Sequence, residues 1–293
     1  MTVKTQTKKI LIENKIGRKM QIWDSDSFYT QRLRAGPYQK QNLVCLRKLC
    51  PKPRIVLDIG MNIGMNTWEY ATWAEKVIGF EPVLETYKLA LENIKMNRKT
   101  YHKDKGWCFN KNGMFESLEI TGDIETYNVA LGPVGSSKKV EMQIKKNDGH
   151  NRIANDNFKT VSGKNIKHNK GYPRIEVNQK TLDSYNFKDV DIIKIDVEGY
   201  ELLVLEGAEQ TIDNNRPIVQ IECVEIQPRA FGRNIQELID YFNKKNYVVI
   251  TVDGIVRGPK WCYVKKMMDR FMIPKEIFDK IREKNIYDFG DKK

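Results

Sequence analysis

No stretch of this sequence holds the roughly 18 consecutive apolar residues that a membrane-spanning helix requires. The basic start (Lys4, Lys8, Lys9) is not followed by an apolar segment of signal-peptide length, so secretion and membrane insertion are both disfavoured. Cysteine is sparse. Cys45, Cys50, Cys108, Cys223 and Cys262 are odd in number, scattered and without a Cys-x-x-Cys pair, which argues against a disulfide framework or a structural zinc and implies a reducing, cytoplasmic setting. Histidine is scarcer still, at 3, and His102 and His168 show no partner pattern for a metal. Internal repeats, heptads and long low-complexity linkers are also missing, which leaves a single catalytic-type domain with appendages.

Acids are in deficit. Against 50 Lys+Arg stand 38 Asp+Glu, a formal charge of +12 over 293 residues. Eleven of the bases fall between Lys138 and Lys180, opposed by only four acids. That imbalance suits an anionic partner such as nucleic acid, a nucleotide-sugar or an anionic glycan, although a solvated loop is the plainer reading.

What is present is alternation. Ile55 to Ile59 is a β-branched run ending in Gly60, and a helix candidate from Asn66 to Ala74 follows. Val77 to Phe80 reads as a second strand, with Leu84, Tyr87, Leu91 and Ile94 at helical spacing behind it. Strands are further expected at Asp123 to Ala130, Ile192 to Ile195 and Ile218 to Ile221. Helices are expected through Leu202, Leu205, Ala208 and Ile212, and behind Asn234 as N-cap. Tyr247 to Val252 and Trp261 to Val264 look like antiparallel strands. The whole implies an α/β fold, a doubly wound and mostly parallel sheet covered on both faces. Tyr101 to Leu118 and Lys138 to Lys180 lack a clear period and read as loop insertions of the substrate-selecting kind. Residues 1–50 are expected as an N-terminal helical cover, 51–265 as the main domain, and 266–293 as a C-terminal accessory tail with a helix opened by Pro274.

The strongest chemical signal is Leu57-Asp58-Ile59-Gly60-Met61-Asn62-Ile63-Gly64 at the first strand-to-helix turn. In open α/β sheets ligands bind at carboxyl ends of strands, and glycines there let backbone approach a ligand. The spacing is neither the dinucleotide Gly-x-Gly-x-x-Gly nor a Walker loop. Asp58 would repel a phosphate but attract an ammonium, which favours S-adenosylmethionine. Glu81 ends the second strand about 20 residues after Gly60, the spacing at which a carboxylate takes ribose hydroxyls. Asp196 and Glu198 end the fourth strand and Glu222 the fifth. Paired carboxylates there can take a hydroxyl proton or hold a divalent ion. Glu201, in the following helix, reads as a first-turn acid.

Asp58-Ile59-Gly60-Met61-Asn62-Ile63-Gly64, Phe80-Glu81-Pro82, Asn128-Val129-Ala130-Leu131-Gly132, Thr181-Leu182-Asp183, Ile193-Lys194-Ile195-Asp196-Val197-Glu198-Gly199 and Arg216-Pro217 with Glu222 occur in this order. Together they resemble the FkbM family of S-adenosylmethionine-dependent methyltransferases over roughly residues 54–226. The resemblance implies a class I, Rossmann-like methyltransferase sheet whose last strand is antiparallel, and methyl transfer to an oxygen, typically a sugar or polyketide hydroxyl. It also implies that Asp58, Gly60, Asn62 and Gly64 meet the methionine part, Glu81 the ribose, and Asn128, Val129 and Ala130 the adenine. His150 falls where the family often has a Gly- and Ser-rich stretch near the active site, and its imidazole would suit a general base at neutral pH.

The leading expectation is therefore an O-methyltransferase acting on a carbohydrate, glycan or related small-molecule hydroxyl, with Asp196, Glu198 and His150 as catalytic candidates. A metal-free base is preferred over a divalent ion on Asp196, Glu198 and Glu222. A nucleic-acid (ribose 2′-hydroxyl) methyltransferase is the first alternative, and it would want a Lys-Asp-Lys-Glu tetrad. A non-catalytic adenosine-binding module is the second.

Overall fold

The computed structural model describes residues 9–13, 18–23, 31, 33–34, 39–99, 120–136, 138–145, 151–154, 172–223, 231–257 and 268–284. Among these the chain starts with an antiparallel hairpin of β1 (Lys9–Glu13) and β2 (Lys19–Trp23), followed by helix α1 (Lys40–Leu49). The cover expected to be helical is thus partly a hairpin, because Ile10 and Ile12, and Met20 and Ile22, recur with period two rather than 3.6. Alternation then runs as the sequence implies, through β3 (Ile55–Ile59), α2 (Met65–Tyr70), β4 (Lys76–Phe80), α3 (Leu84–Lys99) and β5 (Asp123–Tyr127).

Four strands interrupt it: β6 (Ala130–Leu131), β7 (Lys139–Gln143), β8 (Arg152–Ile153) and β9 (Arg174–Lys180). The main pattern resumes with β10 (Val190–Ile195), α4 (Glu201–Glu206), α5 (Glu209–Asn215), β11 (Ile218–Cys223), α6 (Ile235–Lys244) and β12 (Tyr247–Thr251). It closes with β13 (Val256–Arg257), β14 (Met268–Pro274) and α7 (Lys275–Glu283). Among the described residues no helix is long and apolar enough to cross a membrane.

The central sheet has the order β13-β12-β14-β11-β10-β3-β4-β5. Strands β5, β4, β3, β10 and β11 are parallel, whereas β14 runs antiparallel to both β11 and β12. The fold is α/β with a mostly parallel central sheet. Parallel strands sandwiched between helices must be apolar on both faces, and β3 shows why the run Ile-Val-Leu-Asp-Ile is needed. Leu57 and Ile59 pack on one face with Ile193, Leu205, Ile212 and Phe242, while Val56 packs on the other with Leu46, Tyr70, Phe271 and Phe278.

Helix boundaries follow local chemistry. At α6, Asn234 Oδ1 accepts from Glu237 N (3.1 Å) and Glu237 Oε1 accepts from Asn234 N (3.2 Å), a reciprocal cap. The single helix expected through Leu202 and Ile212 is broken at Gly207 into α4 and α5, and Pro217 stops the second.

Three further expectations change. Residues 266–293, expected as an accessory tail, supply β14 inside the sheet and α7 against its face; Asp269 and Arg270 break the apolar run that would have marked the strand. The strand expected over Asp123 to Ala130 stops at Tyr127, and Ala130 joins a second sheet of order β6-β9-β7-β8. The described ends of the Lys138–Lys180 segment are therefore strands, not loop. Tyr101 to Leu118 and Trp261 to Val264 lie outside the described residues.

Candidate active site

The carboxyl ends of β4, β3, β10 and β11 open onto one cleft of about 1090 Å³, counting its mouth. The first turn after β3 is pressed between its neighbours. Gly60 has φ +79, and a Cβ there would meet Asp196 O at 2.0 Å, so only glycine lets β3 turn against the end of β10. Asn62 and Gly64 also hold positive φ, at 50° and 85°.

Asp58 does not line this cleft. It is fully buried beneath the turn, where Thr67 Oγ1 donates to its Oδ2 (2.6 Å) and Lys194 Nζ lies 3.3 Å from its Oδ1. The ammonium that the sequence leads one to seek in a ligand is provided by the chain itself. Lys194, buried next to the carboxyl end of β10, also donates to Gly60 O (3.0 Å) and reaches Asp196 Oδ2 at 3.5 Å. Burial works against its charge, but Asp196 and Asp58 outweigh that and hold it above the usual lysine range.

Glu81 is buried on the cleft wall just after β4. Its Oε1 accepts from Val83 N (2.9 Å) and its Oε2 from Asn62 N (3.2 Å), while burial pushes it up to about 7 in spite of those bonds. Asn128 acts behind it: its Nδ2 donates to Glu81 O and Pro82 O, both at 2.9 Å, and fixes the strand end. Val129 and Ala130 line the cleft; Asn128 does not.

At the opposite end, carboxylate oxygens of Asp196, Glu198 and Glu222 lie within 4.8 Å of one another. Glu198 takes φ 58, a left-handed conformation that swings it toward the others. Glu222 Oε2 is buried without a hydrogen-bond partner, and burial, then Asp196 and Glu198, push the group far above the glutamate range. Asp269, opposite Glu222 on β14, is pushed up to about 6 by burial and by Asp196, and accepts from Gln220 Nε2 (3.2 Å) and from Asn42. Hard oxygen donors at this spacing have the chemistry to hold a divalent ion or to receive a proton. Glu201 keeps the structural role its position implies, accepting from Val197 N (3.2 Å) and Gly199 N (3.0 Å).

His150 lies outside the described residues. Sequence reasoning assigned no site role to Lys194, Asp269, Tyr200, Thr86, Met142, Asn151 or Ile153; all but Asp269 line the cleft. Lys194 carries a legible signal, a lysine between two isoleucines near the end of a strand; Asp269 carries none, because with Arg270 it breaks the apolar run of β14.

No curated protein sequence matches the chain. Among solved structures it is similar to methyltransferase FkbM from Methylobacillus flagellatus KT, with 14% identity and TM-score 0.43, covering 75% of this chain and 43% of that one. Trm1 from Pyrococcus horikoshii, solved with S-adenosyl-L-methionine, is similar at 14% identity and TM-score 0.43, covering 92% and 63%. An rRNA methylase from Streptococcus thermophilus follows at 12% and 0.39, covering 81% and 96%. Likenesses this weak carry no functional argument, and the chain spans less than half of the Methylobacillus protein. The methyltransferase FkbM domain, by contrast, matches residues 58–249, well over half of the chain, which therefore belongs to the FkbM methyltransferase family.

Proposed function

We propose that the chain transfers a methyl group from S-adenosylmethionine to a hydroxyl of a carbohydrate, glycan or related small molecule. Family membership supports methyl transfer, and one observation carries the rest: a single cleft runs from a buried carboxylate, Glu81, to the cluster of Asp196, Glu198 and Glu222. The residues fit the cofactor. Glu81 suits a ribose diol, Val129 and Ala130 an apolar base, and an acid-rich end suits a cation. The Gly60–Gly64 turn would hold the methionine part. Asp58 serves that turn from below, through Thr67 and Lys194.

When bound, the cofactor supplies the methyl group on a sulfonium, ready for in-line displacement. The protein's part is to align an acceptor hydroxyl and remove its proton. Glu222, pushed up by burial and by like charges, keeps its own proton at neutral pH and is a poor base. Asp196 is the better one, its carboxylate oriented by the Lys194 ammonium at 3.5 Å. Asp196, Glu198 and Glu222 would be the ligands if a divalent ion orients the acceptor, and activity with and without chelator separates the two modes.

A second reading, methyl transfer to a ribose 2′-hydroxyl of nucleic acid, gains from Lys194, Asp196 and Glu222 lining one cleft, three parts of a Lys-Asp-Lys-Glu tetrad. A methyl-transfer screen with labelled cofactor against glycans, nucleotide-sugars, RNA and DNA decides. Label in a glycan or nucleotide-sugar supports the leading reading; label in nucleic acid alone overturns it.

A further inference from the structure

Two hydrogen bonds join the small sheet and the residue ahead of β8 to segments that follow strands of the central sheet. From β9, Gln179 Nε2 donates to the Tyr200 hydroxyl (3.4 Å), just beyond the end of β10. Ahead of β8, Asn151 Nδ2 donates to Thr86 Oγ1 (3.5 Å) in the first turn of α3, beyond the end of β4. These bonds bring β9 toward the residues that follow β10 and the residue ahead of β8 toward those that follow β4. Ile153 of β8 lies in register with Met142 of β7, and both are buried yet line the cleft, as does Asn151.

The central sheet serves as a ruler. From β4, which Glu81 follows, to β11, which holds Glu222, there are three strand spacings, roughly 14 Å. A ligand whose reacting group lies at the carboxylates therefore extends its far end beneath β8. Met142 and Ile153 give it apolar wall, and Asn151 and Thr86 line it as polar groups. A flat heteroaromatic ring suits such a slot, because its faces are apolar and its edge needs few hydrogen bonds; a hydroxyl-rich sugar does not. The Asn151 amide is held by Oδ1, which accepts from Lys145 N (3.0 Å). Its 3.5 Å bond to Thr86 is long for an amide donor and easily exchanged for a ring nitrogen.

We propose that Met142, Asn151 and Ile153 of the small sheet close over the adenine of the cofactor, so that part of the segment expected to select the acceptor binds the cofactor instead. This rests on the reading of the cleft as an S-adenosylmethionine site. The Met142 thioether packs adaptably against an aromatic face, and Ile153 is stiff and holds the wall in place.

The test is calorimetry on the full chain with S-adenosylhomocysteine and with adenosine, which probes the base end alone. Ile153→Ala and Asn151→Ala should each weaken both ligands by about tenfold, the scale of losing a few buried contacts. Backbone amides of β7 and β8 should exchange more slowly when S-adenosylhomocysteine binds the unaltered protein, a readout that stands even where a variant fails to fold. If Glu81→Gln weakens binding but both small-sheet variants stay within twofold and the amides are unchanged, the cofactor reading survives and this proposal falls. If the unaltered protein binds neither ligand, both fall together.

Discussion

The central sheet is buried on both faces, the small sheet on one. In β3, β4 and β10 almost every position is shielded, whereas β9 alternates: Val177 and Gln179 are buried while Glu176, Asn178 and Lys180 are exposed. Each sheet contributes to the same cleft, but differently. The central one delivers titratable groups from strand ends packed too tightly to move, which preserves the geometry that proton removal needs. The small one contributes wall residues backed by solvent, a surface that can adjust to a ligand at low cost.

Breaking the dry side should cost most. Lys194→Met leaves Asp58 buried without its cation, and we expect a loss of about 3–5 kcal/mol in urea unfolding. A loss under 1 kcal/mol would mean that the ion pair does not hold the turn. Asp196→Asn keeps the size of the side chain but cannot accept a proton, so kcat for methyl transfer should fall by about 10²–10⁴ with S-adenosylhomocysteine affinity nearly intact. Full turnover in both Asp196→Asn and Glu198→Gln would remove these residues from the chemistry. Glu81→Ala should weaken S-adenosylhomocysteine by about 1–3 kcal/mol in calorimetry.

Smaller effects sharpen the contrast. Glu81 and Glu201 are each pushed up to about 7 from an ordinary 4.5 by burial. Between those values the folded chain binds more protons than the unfolded one. Their contribution is therefore present at acid pH and is lost as pH rises through about 7, at most about 1.4 kcal/mol per pH unit for each proton released. Glu201→Gln, which has no proton to release, should flatten the decline seen in urea midpoints between pH 5 and 7. On the wet side, Lys139→Ser removes an exposed pair with Glu176 and should change stability by less than about 0.5 kcal/mol.

The same contrast explains what could be read from sequence. β3, β4, β10 and β11 announce themselves as β-branched runs, and with them Gly60, Glu81, Asp196 and Glu222. The Asn234 cap was equally visible, because its partner Glu237 is three residues away. The small sheet was hidden by its polarity: Lys-Val-Glu-Met-Gln in β7 alternates with period two, but over only five residues and inside a basic stretch. The burial of Asp58 was not legible, since an acid at a strand end looks the same whether it faces a ligand or a lysine 136 residues further along the chain. β14 was obscured by Asp269 and Arg270, whose buried partners come from distant segments.

The place of β14 also bears on how the chain acquires its shape. It is the last strand of the sheet in sequence, yet it lies between β11 and β12. During synthesis neither of those strands can find its neighbour on that side until residue 274 has emerged, so each keeps an unpaired, sticky edge. The pairing of Val219 with Met272 spans more than fifty residues, a closure that slows assembly and leaves time for wrong partners. Slow completion of one internal strand is thus a cost of this topology, and a chain cut before β14 should aggregate rather than fold in part.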